Sequence, residues 1–245
     1  MRYSLKNIID SLPKKKNSKS SLWVKLIVRK LSFLFTYVFI NLGFSPWAAS
    51  VLSAVVAVIG SGFLMLPNYT FVVIGMIFIQ LWLILDCVDG NIARCKKQSS
   101  ELGSFIDALS GYYVSAFVYL GTGVAAYHFS RLEEYRFLFV LMGAVSAISG
   151  ILSRLIHQKY TYTILMLEDG SRKLSTPEEE VDNKKSLQYL RSRIDKEIGI
   201  SGLFMPFLII AAIFNLFGLI TVFYFVFQVL ALLGVTAIYS LKAKE

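Results

Sequence analysis

The chain has 245 residues, of which 56% are hydrophobic and only 17% are charged. A water-soluble domain of this size carries more charge. Apolar stretches of about 18 to 25 residues recur along the chain, and each is long enough to cross a hydrocarbon core of roughly 30 Å. The composition therefore excludes an ordinary soluble domain and predicts an all-α polytopic membrane protein.

The positive charge follows the pattern of a membrane protein rather than that of a nucleic-acid-binding protein. Of the 25 Lys and Arg residues, 23 fall in residues 1–30, 91–102, 153–200 and the last few positions. Only Arg131 and Arg136 lie on the other side of the predicted helices. Because cytoplasmic loops carry an excess of Lys and Arg, we expect both termini in the cytoplasm, a location in the cytoplasmic (inner) membrane, and no nucleic-acid partner.

The chain divides into three parts. Residues 1–20 are basic and irregular in pattern and are predicted to form a cytoplasmic tail without a cleavable signal peptide. Residues 21–44 mix apolar and basic side chains on a helical repeat. A crossing there would separate the tail from the other basic segments, so we predict an interfacial amphipathic helix. Residues 45–245 are predicted to form a six-helix membrane domain.

The six predicted membrane helices follow from the apolar runs and the turn signals between them. Ser45-Pro46 starts the first helix, and Asn215 and Gly218 are the expected turn between the last two. Polar segments at 91–102 and 158–200 are predicted cytoplasmic loops, the second containing a helix at 183–198. The first four helices are predicted at 46–66, 70–88, 103–127 and 136–157, and the last two lie within 200–241.

One stretch, from Asp86 to Asp107, gathers the residues that point to chemistry. It reads DCVDGNIARCKKQSSELGSFID. Asp86 and Asp89 share a helix face, and a hairpin would bring Asp107 to a similar depth. Carboxylates in a membrane segment are costly unless they pair, face water or hold a cation. Oxygen ligands suit Mg²⁺, Mn²⁺ or Ca²⁺.

Small residues and an arginine accompany these carboxylates. Gly90, Ala93 and Gly103 leave room beside the backbone for a ligand, and Arg94 can make bidentate contacts to a phosphate. A divalent cation, an arginine and a tight pocket are the equipment for phosphoryl-type transfer. Taken singly, each aspartate is equally well explained as an interfacial charge paired with a nearby Arg or Lys.

The stretch resembles the signature of the CDP-alcohol phosphotransferase family, D-x2-D-G-x2-A-R-x8-G-x3-D-x3-D. The six-helix layout, the interfacial helix and the Ser-Pro start of the first helix are similar to the family as well. Seven positions match in identity and spacing: Asp86, Asp89, Gly90, Ala93, Arg94, Gly103 and Asp107.

The resemblance implies an activity and a set of roles. Family members cleave the diphosphate of a CDP-linked alcohol, transfer a substituted phosphate to an acceptor and release CMP, many of them in phospholipid synthesis. They are commonly homodimers in the lipid bilayer. On the matching positions, one or two Mg²⁺ or Mn²⁺ ions would be held by Asp86, Asp89 and Asp107, the nucleotide would have space beside Gly90, Ala93 and Gly103, and Arg94 would meet a phosphate.

The last signature aspartate is replaced by Gly111. In the family this residue helps to hold the metals and is the proposed base that deprotonates an acceptor hydroxyl. An anionic acceptor would need no base. Candidates for the acceptor side are Ser110, Tyr112, Tyr113, Arg154 and Arg191.

Three functions remain open on the sequence. The first is an active phosphotransferase with an unusual acceptor or base. The second is a catalytically impaired relative that binds CDP-alcohols or partners an active paralogue. The third is a cation transporter that uses the carboxylates but leaves Arg94 and the glycines unexplained.

Overall fold

The computed structural model describes residues 3–13, 20–98, 101–167, 194 and 196–242, with the backbone alone at 101, 104, 165–167 and 242. The described part contains helices and no strand. Short π-helical turns at Val24–Val28 and Ile200–Phe204 lead into α2 and α7. The helices are α1 (Leu5–Asp10), α2 (Arg29–Asn41), α3 (Pro46–Leu64), α4 (Tyr69–Lys96), α5 (Glu101–Phe129), α6 (Arg136–Leu167), α7 (Met205–Phe214) and α8 (Phe217–Lys242).

Local sequence signals place several of these helix ends. The Ser45 side chain caps α3 by accepting a hydrogen bond from the Ala48 amide at 3.1 Å, with Pro46 in the first turn. Asn215 takes a left-handed backbone conformation, with φ 55°, between α7 and α8. The predicted helix start at Ser45-Pro46 and the predicted turn at Asn215 are thus confirmed, whereas Gly218 lies inside α8 rather than in the turn.

Five segments of the described chain are long and apolar enough to cross a membrane. This confirms an all-helical, multi-pass membrane protein. Helix α5 has 29 residues and would span about 44 Å, but glycine, serine and tyrosine interrupt its apolar sequence, so the sixth crossing stays a prediction. The five segments are Pro46–Leu64, Tyr69–Lys96, Glu133–Ile164, Lys196–Phe214 and Phe217–Leu241.

Two predicted loops are partly wrong. Helix α4 does not end at Val88 but continues to Lys96, and α5 begins at Glu101, so the predicted loop 91–102 is mostly helical. The physical reason is packing, because Val88 and Ile92 are fully buried. Helix α6 likewise runs to Leu167 through the first ten residues of the predicted loop 158–200. Residues 168–193 and 195, and with them most of the predicted helix 183–198, lie outside the described residues.

The N-terminal segment is more ordered than predicted. Residues 5–10 form α1, whose Ile8 is fully buried in a cluster with Ile40 of α2 and Ile92 of α4. The prediction of an irregular tail is therefore wrong there. The tail's location in the cytoplasm stays a prediction.

The segment predicted as an amphipathic helix is helical from residue 22 to Asn41. Three of its polar side chains, Arg29, Ser32 and Thr36, are buried against the protein. Several of its apolar side chains face outward, Leu26 being 62% and Leu34 54% exposed. This division of the faces fits a helix lying at the membrane surface, and its placement there stays a prediction.

The start of this helix is also joined to the C-terminal part of the chain. The Ser21 hydroxyl donates to the Ser201 carbonyl at 2.6 Å, and the Leu22 amide donates to Glu197 Oε2 at 3.0 Å. Both partners lie just before α7. These contacts at the start of the α2 region thus connect the N-terminal and C-terminal parts of the fold.

Close helix packing determines which helices meet. Helix α3 packs along both α4 and α5, whereas α4 and α5 touch at few points although they are consecutive. A Cβ at Gly75 would lie 2.7 Å from the Gly60 carbonyl oxygen, and a Cβ at Gly123 would lie 2.5 Å from the Phe139 carbonyl oxygen. Small residues of this kind let membrane helices approach closely. The α3–α4 and α5–α6 pairs therefore depend on glycine.

Candidate active site

One uninterrupted helix, α4, presents the first five residues of the signature. Asp86 is half-buried, and Asp89 is 7% exposed. The Ser50 hydroxyl of α3 donates a short hydrogen bond to Asp89 Oδ2. Asp86 and Asp89 lie on one face of α4, as their spacing predicts. A buried carboxylate on a membrane helix is thereby fixed in orientation by its neighbour.

Asp107 occupies a different environment. It lies in the second turn of α5 and is exposed. Within the described residues, no three His, Cys, Asp or Glu side chains are grouped closely enough to hold a metal ion. The reason is the helix packing, since α5 packs against α3 and α6 and makes few contacts with α4. The structure therefore does not bring the three predicted carboxylates together.

The fit of a divalent cation to this site is partial. The donors are carboxylate oxygens, which Mg²⁺ and Mn²⁺ prefer, and two of them share a helix face. Asp107 is not grouped with Asp86 and Asp89. Two carboxylates on α4 thus have the right donor type, and the three-carboxylate set stays a prediction.

The space predicted for a nucleotide contains the end of the Arg94 side chain. A Cβ at Gly90 would lie 3.3 Å from Arg94 Nη1, so the guanidinium lies across the glycine. Arg94 Nη2 donates to Asn91 Oδ1 at 2.5 Å. Ala93 and Gly103 are half-buried. The room at Gly90 exists, and a flexible side chain fills it in this structure.

Asn91 joins α4 to α2. It is fully buried, and its Nδ2 donates to Thr36 Oγ1 at 3.0 Å and to Ser32 Oγ at 3.3 Å. Sequence reasoning missed these three residues, because Asn91 occupies a variable position of the signature. The spacing of Ser32 and Thr36, four residues apart in an otherwise apolar helix, was the available signal.

Arg29 is a second guanidinium on the same side of α4. It is 6% exposed, and its Nη2 donates to Ser20 Oγ at 2.9 Å. The positive charge of Arg29 repels the Arg94 guanidinium, whereas the Asp89 carboxylate attracts it. Sequence reasoning counted Arg29 among the basic residues at the membrane surface and missed its burial. It shares a buried stripe with Ser32 and Thr36.

The position of the missing aspartate faces a cation. Arg154 of α6 donates from Nη1 to the Gly111 carbonyl at 3.1 Å. A Cβ at Gly111 would lie 3.4 Å from the same nitrogen. The Arg154 guanidinium also lies 5.7 Å from the centre of the Tyr112 ring. Gly111, Tyr112 and Arg154 are thus brought together, and their role on the acceptor side stays a prediction.

The other acceptor-side candidates are placed differently. Ser110 is 1% exposed and accepts a hydrogen bond from Trp82 Nε1 at 3.1 Å, so it is a packing partner and not open to an acceptor here. Tyr113 is 45% exposed and stacks on Phe117. Two residues after Gly111, it points to the other side of α5. Arg191 lies outside the described residues.

Fold and site together define a multi-pass membrane protein with a charged site set among its helices. Residues 30–176 match the family model described as CDP-alcohol phosphatidyltransferase. This match covers more than half of the chain, and the chain belongs to that family. A comparison with curated proteins gave no significant match. The matched range contains the whole signature and begins one residue after Arg29.

Proposed function

We propose that this protein transfers a substituted phosphate from a CDP-linked alcohol to an acceptor at the membrane surface and releases CMP. The observation that carries the proposal is the single helix α4, which presents Asp86, Asp89 and Arg94 together with Gly90 and Ala93 inside the family-matched range. Binding a charged nucleotide at a membrane requires this combination of acidic, basic and small residues.

The donor side of the site has a role for each of these residues. Arg94 moves from its position over Gly90 and meets a donor phosphate, and the cytidine nucleotide takes the space beside Gly90, Ala93 and Gly103. Ser50 keeps the Asp89 carboxylate oriented. Asp86, Asp89 and Asp107 would hold Mg²⁺ or Mn²⁺. When bound, such an ion neutralises charge on the reacting phosphate oxygens.

The acceptor side lacks a carboxylate and carries a cation instead. Arg154 beside Gly111 attracts an acceptor that bears a phosphate or a carboxylate. An anionic oxygen attacks without losing a proton, so no base is needed at position 111. Tyr112 holds the guanidinium in place through its ring. We include Arg191 on this side as a further proposal.

The test is release of CMP from candidate CDP-alcohols by the purified protein with Mg²⁺ or Mn²⁺. Asp89→Asn should lower the rate by about 100-fold or more, since a metal contributes several kcal/mol to charge stabilisation. Glu134→Gln removes an exposed carboxylate from the turn between α5 and α6, at the opposite end of α5 from Asp107, and should have no effect. Equal rates for wild type and Asp89→Asn would contradict the metal role.

A second candidate is a protein that binds CDP-alcohols without turnover. Two observations favour it, namely the guanidinium at Gly111 and the separation of Asp107 from the α4 carboxylates. This protein would bind CDP in calorimetry but release no CMP from any donor, with or without an anionic acceptor. Detectable CMP release that depends on Asp89 would exclude it.

We further propose a homodimer, as the resemblance implies. Light scattering of the protein in detergent measures the mass of the protein part of the complex. A mass of twice 27.6 kDa is expected, and a single-chain mass would contradict the proposal.

A further inference from the structure

Two guanidinium groups, one on a buried side chain (Arg29) and one on a half-buried side chain (Arg94), lie between α2 and α4 with unused hydrogen-bond donors. Each makes one described hydrogen bond through Nη2, Arg29 to Ser20 and Arg94 to Asn91. In each, the Nε atom is buried and has no partner within the described part of the chain. Leaving a charged donor unsatisfied in the interior is costly. Both groups therefore have donor capacity that the described protein does not use.

Their electrostatic setting is unfavourable without a counter-charge. The charges of Arg29 and Arg94 repel each other, and the Asp89 carboxylate attracts Arg94. Two like charges with unused donors make a poor structural contact between helices. A bound anion would supply acceptors for these donors and further negative charge between the two guanidinium groups.

We infer that Arg29 and Arg94 together bind a diphosphate, which in the proposed reaction belongs to the CDP-linked donor. Two planar guanidinium groups offer paired N–H donors that match phosphate oxygens, and a diphosphate carries enough charge and length to meet both. The inference rests on the proposed function for the identity of the donor. It makes α2, through a residue outside the family-matched range, part of the donor site.

The location favours this occupant over a free anion. Arg94 belongs to the signature and lies across Gly90, where the nucleotide is placed. Asn91 of α4 donates hydrogen bonds to Ser32 and Thr36 of α2. These bonds hold α2, and with it Arg29, against α4. A phospholipid headgroup has the same phosphate chemistry, and α2 is predicted at headgroup level. The experiment therefore has to separate the two sources of phosphate.

The primary experiment measures binding of cytidine, CMP and CDP to the purified full-length protein in detergent with Mg²⁺. Arg29→Gln should weaken CDP binding about 10- to 100-fold, the usual loss for a charged hydrogen bond, and leave cytidine binding unchanged. Lys30→Gln removes the same charge from the next residue, which is exposed, and should leave all three affinities unchanged.

The melting temperature separates a binding role from a structural one. Without ligand, Arg29→Gln should melt at the wild-type temperature or above, because it removes a repelled charge, and CDP should then raise its melting temperature less than that of wild type. A structural arginine would instead give a lower ligand-free melting temperature with normal CDP affinity. Arg29→Lys, which keeps the charge but loses the planar fork, provides a second variant with a smaller loss of CDP affinity.

The outcomes distinguish this inference from the proposed function. Equal CDP affinity in wild type and Arg29→Gln overturns the inference and leaves the proposed function standing. Arg29-dependent binding of pyrophosphate without binding of any cytidine compound keeps the anion site and overturns the proposed function. If mixed micelles with phosphatidic acid show Arg29-dependent lipid binding while CDP binding is independent of Arg29, the site belongs to a lipid headgroup and the diphosphate assignment is wrong.

Discussion

At the scale of single residues, Gly111 shows how a missing side chain changes the charge of a site. A Cβ placed there would have one neighbour within 4 Å, the Nη1 atom of Arg154. At 3.4 Å this is an ordinary contact, so a larger residue fits. The carboxylate that the signature predicts would consequently meet a guanidinium.

Restoring the aspartate alone should therefore not restore a base. In Gly111→Asp the new carboxylate pairs with Arg154. With a hydroxyl acceptor, the rate of CMP release should therefore stay near that of the wild type. In the double variant Gly111→Asp, Arg154→Gln the carboxylate is released, and the rate should rise at least about tenfold, since a positioned base contributes about 10²- to 10⁴-fold. Steady-state CMP release measures both.

Two controls accompany this pair. Arg154→Gln alone should lower the affinity for an anionic acceptor without adding a base. If Gly111→Asp alone reaches the rate of the double variant, the pairing with Arg154 does not govern the new carboxylate.

Ser50 offers a second test at this scale. Its hydroxyl donates to the buried Asp89, and a hydrogen bond to a charged group contributes about 1.5–3 kcal/mol. Ser50→Ala should reduce Asp89-dependent CMP release about tenfold or more. Ser146→Ala is the matched control, because Ser146 is equally buried but bonds to the Met142 carbonyl of its own helix. Similar rates for both variants would show that Ser50 does not support the site.

The residues of the site were predictable to different degrees. Spacing along one helix places Asp86 and Asp89 on one face, because i to i+3 neighbours share a face whatever the rest of the fold does. Arg94 is identified by its match to the signature and by its ability to bind a phosphate. Arg29 and Ser50 were not identified, since their roles depend on which helices pack against α4. A basic residue near a membrane surface and a serine in an apolar helix have ordinary explanations that sequence alone favours.

At the scale of helices, close packing through glycine should set the stability of α5 against α6. Gly123→Ala places a methyl group 2.5 Å from the Phe139 carbonyl oxygen, which forces the two backbones apart at a cost of about 1–3 kcal/mol. Gly62→Ala in α3 is the control, because a Cβ there meets nothing within 4 Å, and alanine favours the helix. Thermal unfolding in detergent should show a lower melting temperature for Gly123→Ala alone.

An equal melting temperature for the two alanine variants would contradict this account of the α5–α6 contact. A Gly62→Ala variant that melts below wild type would instead show that helix propensity does not decide stability in α3.

Helix boundaries show where hydropathy stops being informative. The apolar run ends at Val88, and hydropathy therefore predicted the helix end there. The helix continues because α1 and α2 cover Val88 and Ile92 on one side while Arg94 and Lys96 reach polar partners. The extension matters for function, since it places the signature on one rigid helix.

At the scale of the whole molecule, the number of crossings is open to a direct test. If α5 spans the membrane, the turn at Gln98 and the loop at Leu132 lie on opposite sides. Both residues are exposed. In a background with Cys87→Ser and Cys95→Ser, an impermeant maleimide applied to intact cells should label Leu132→Cys, and Gln98→Cys should react only after lysis.

Labelling of both positions from the same side would show that α5 does not cross the membrane. The same experiment checks the predicted orientation, because reaction of Gln98→Cys in intact cells would place the signature outside the cytoplasm. Ala54, inside α3, supplies a cysteine position that should not react from either side.

Composition and charge distribution predicted the class of fold, because long apolar runs have few alternatives to membrane helices. They did not predict the order in which helices pack. The placement of α3 between α4 and α5 depends on contacts such as that of Gly60 with Gly75. Nothing in the sequence distinguishes these glycines from others in apolar helices. The separation of Asp107 from Asp89 follows from this order.

If α2 lies at the membrane surface, as the sequence predicts, its outward apolar side chains would give the lipid bilayer a mechanical role. With α2 at the membrane surface, Leu26 and Leu34 set its depth by how well they fit between lipid chains, while Arg29 on the opposite face stands beside Arg94. A bilayer under packing stress or strong curvature lets such a helix sink or rise. The distance between the two guanidinium groups, and with it the affinity for a diphosphate, would then vary with the packing stress and curvature of the membrane.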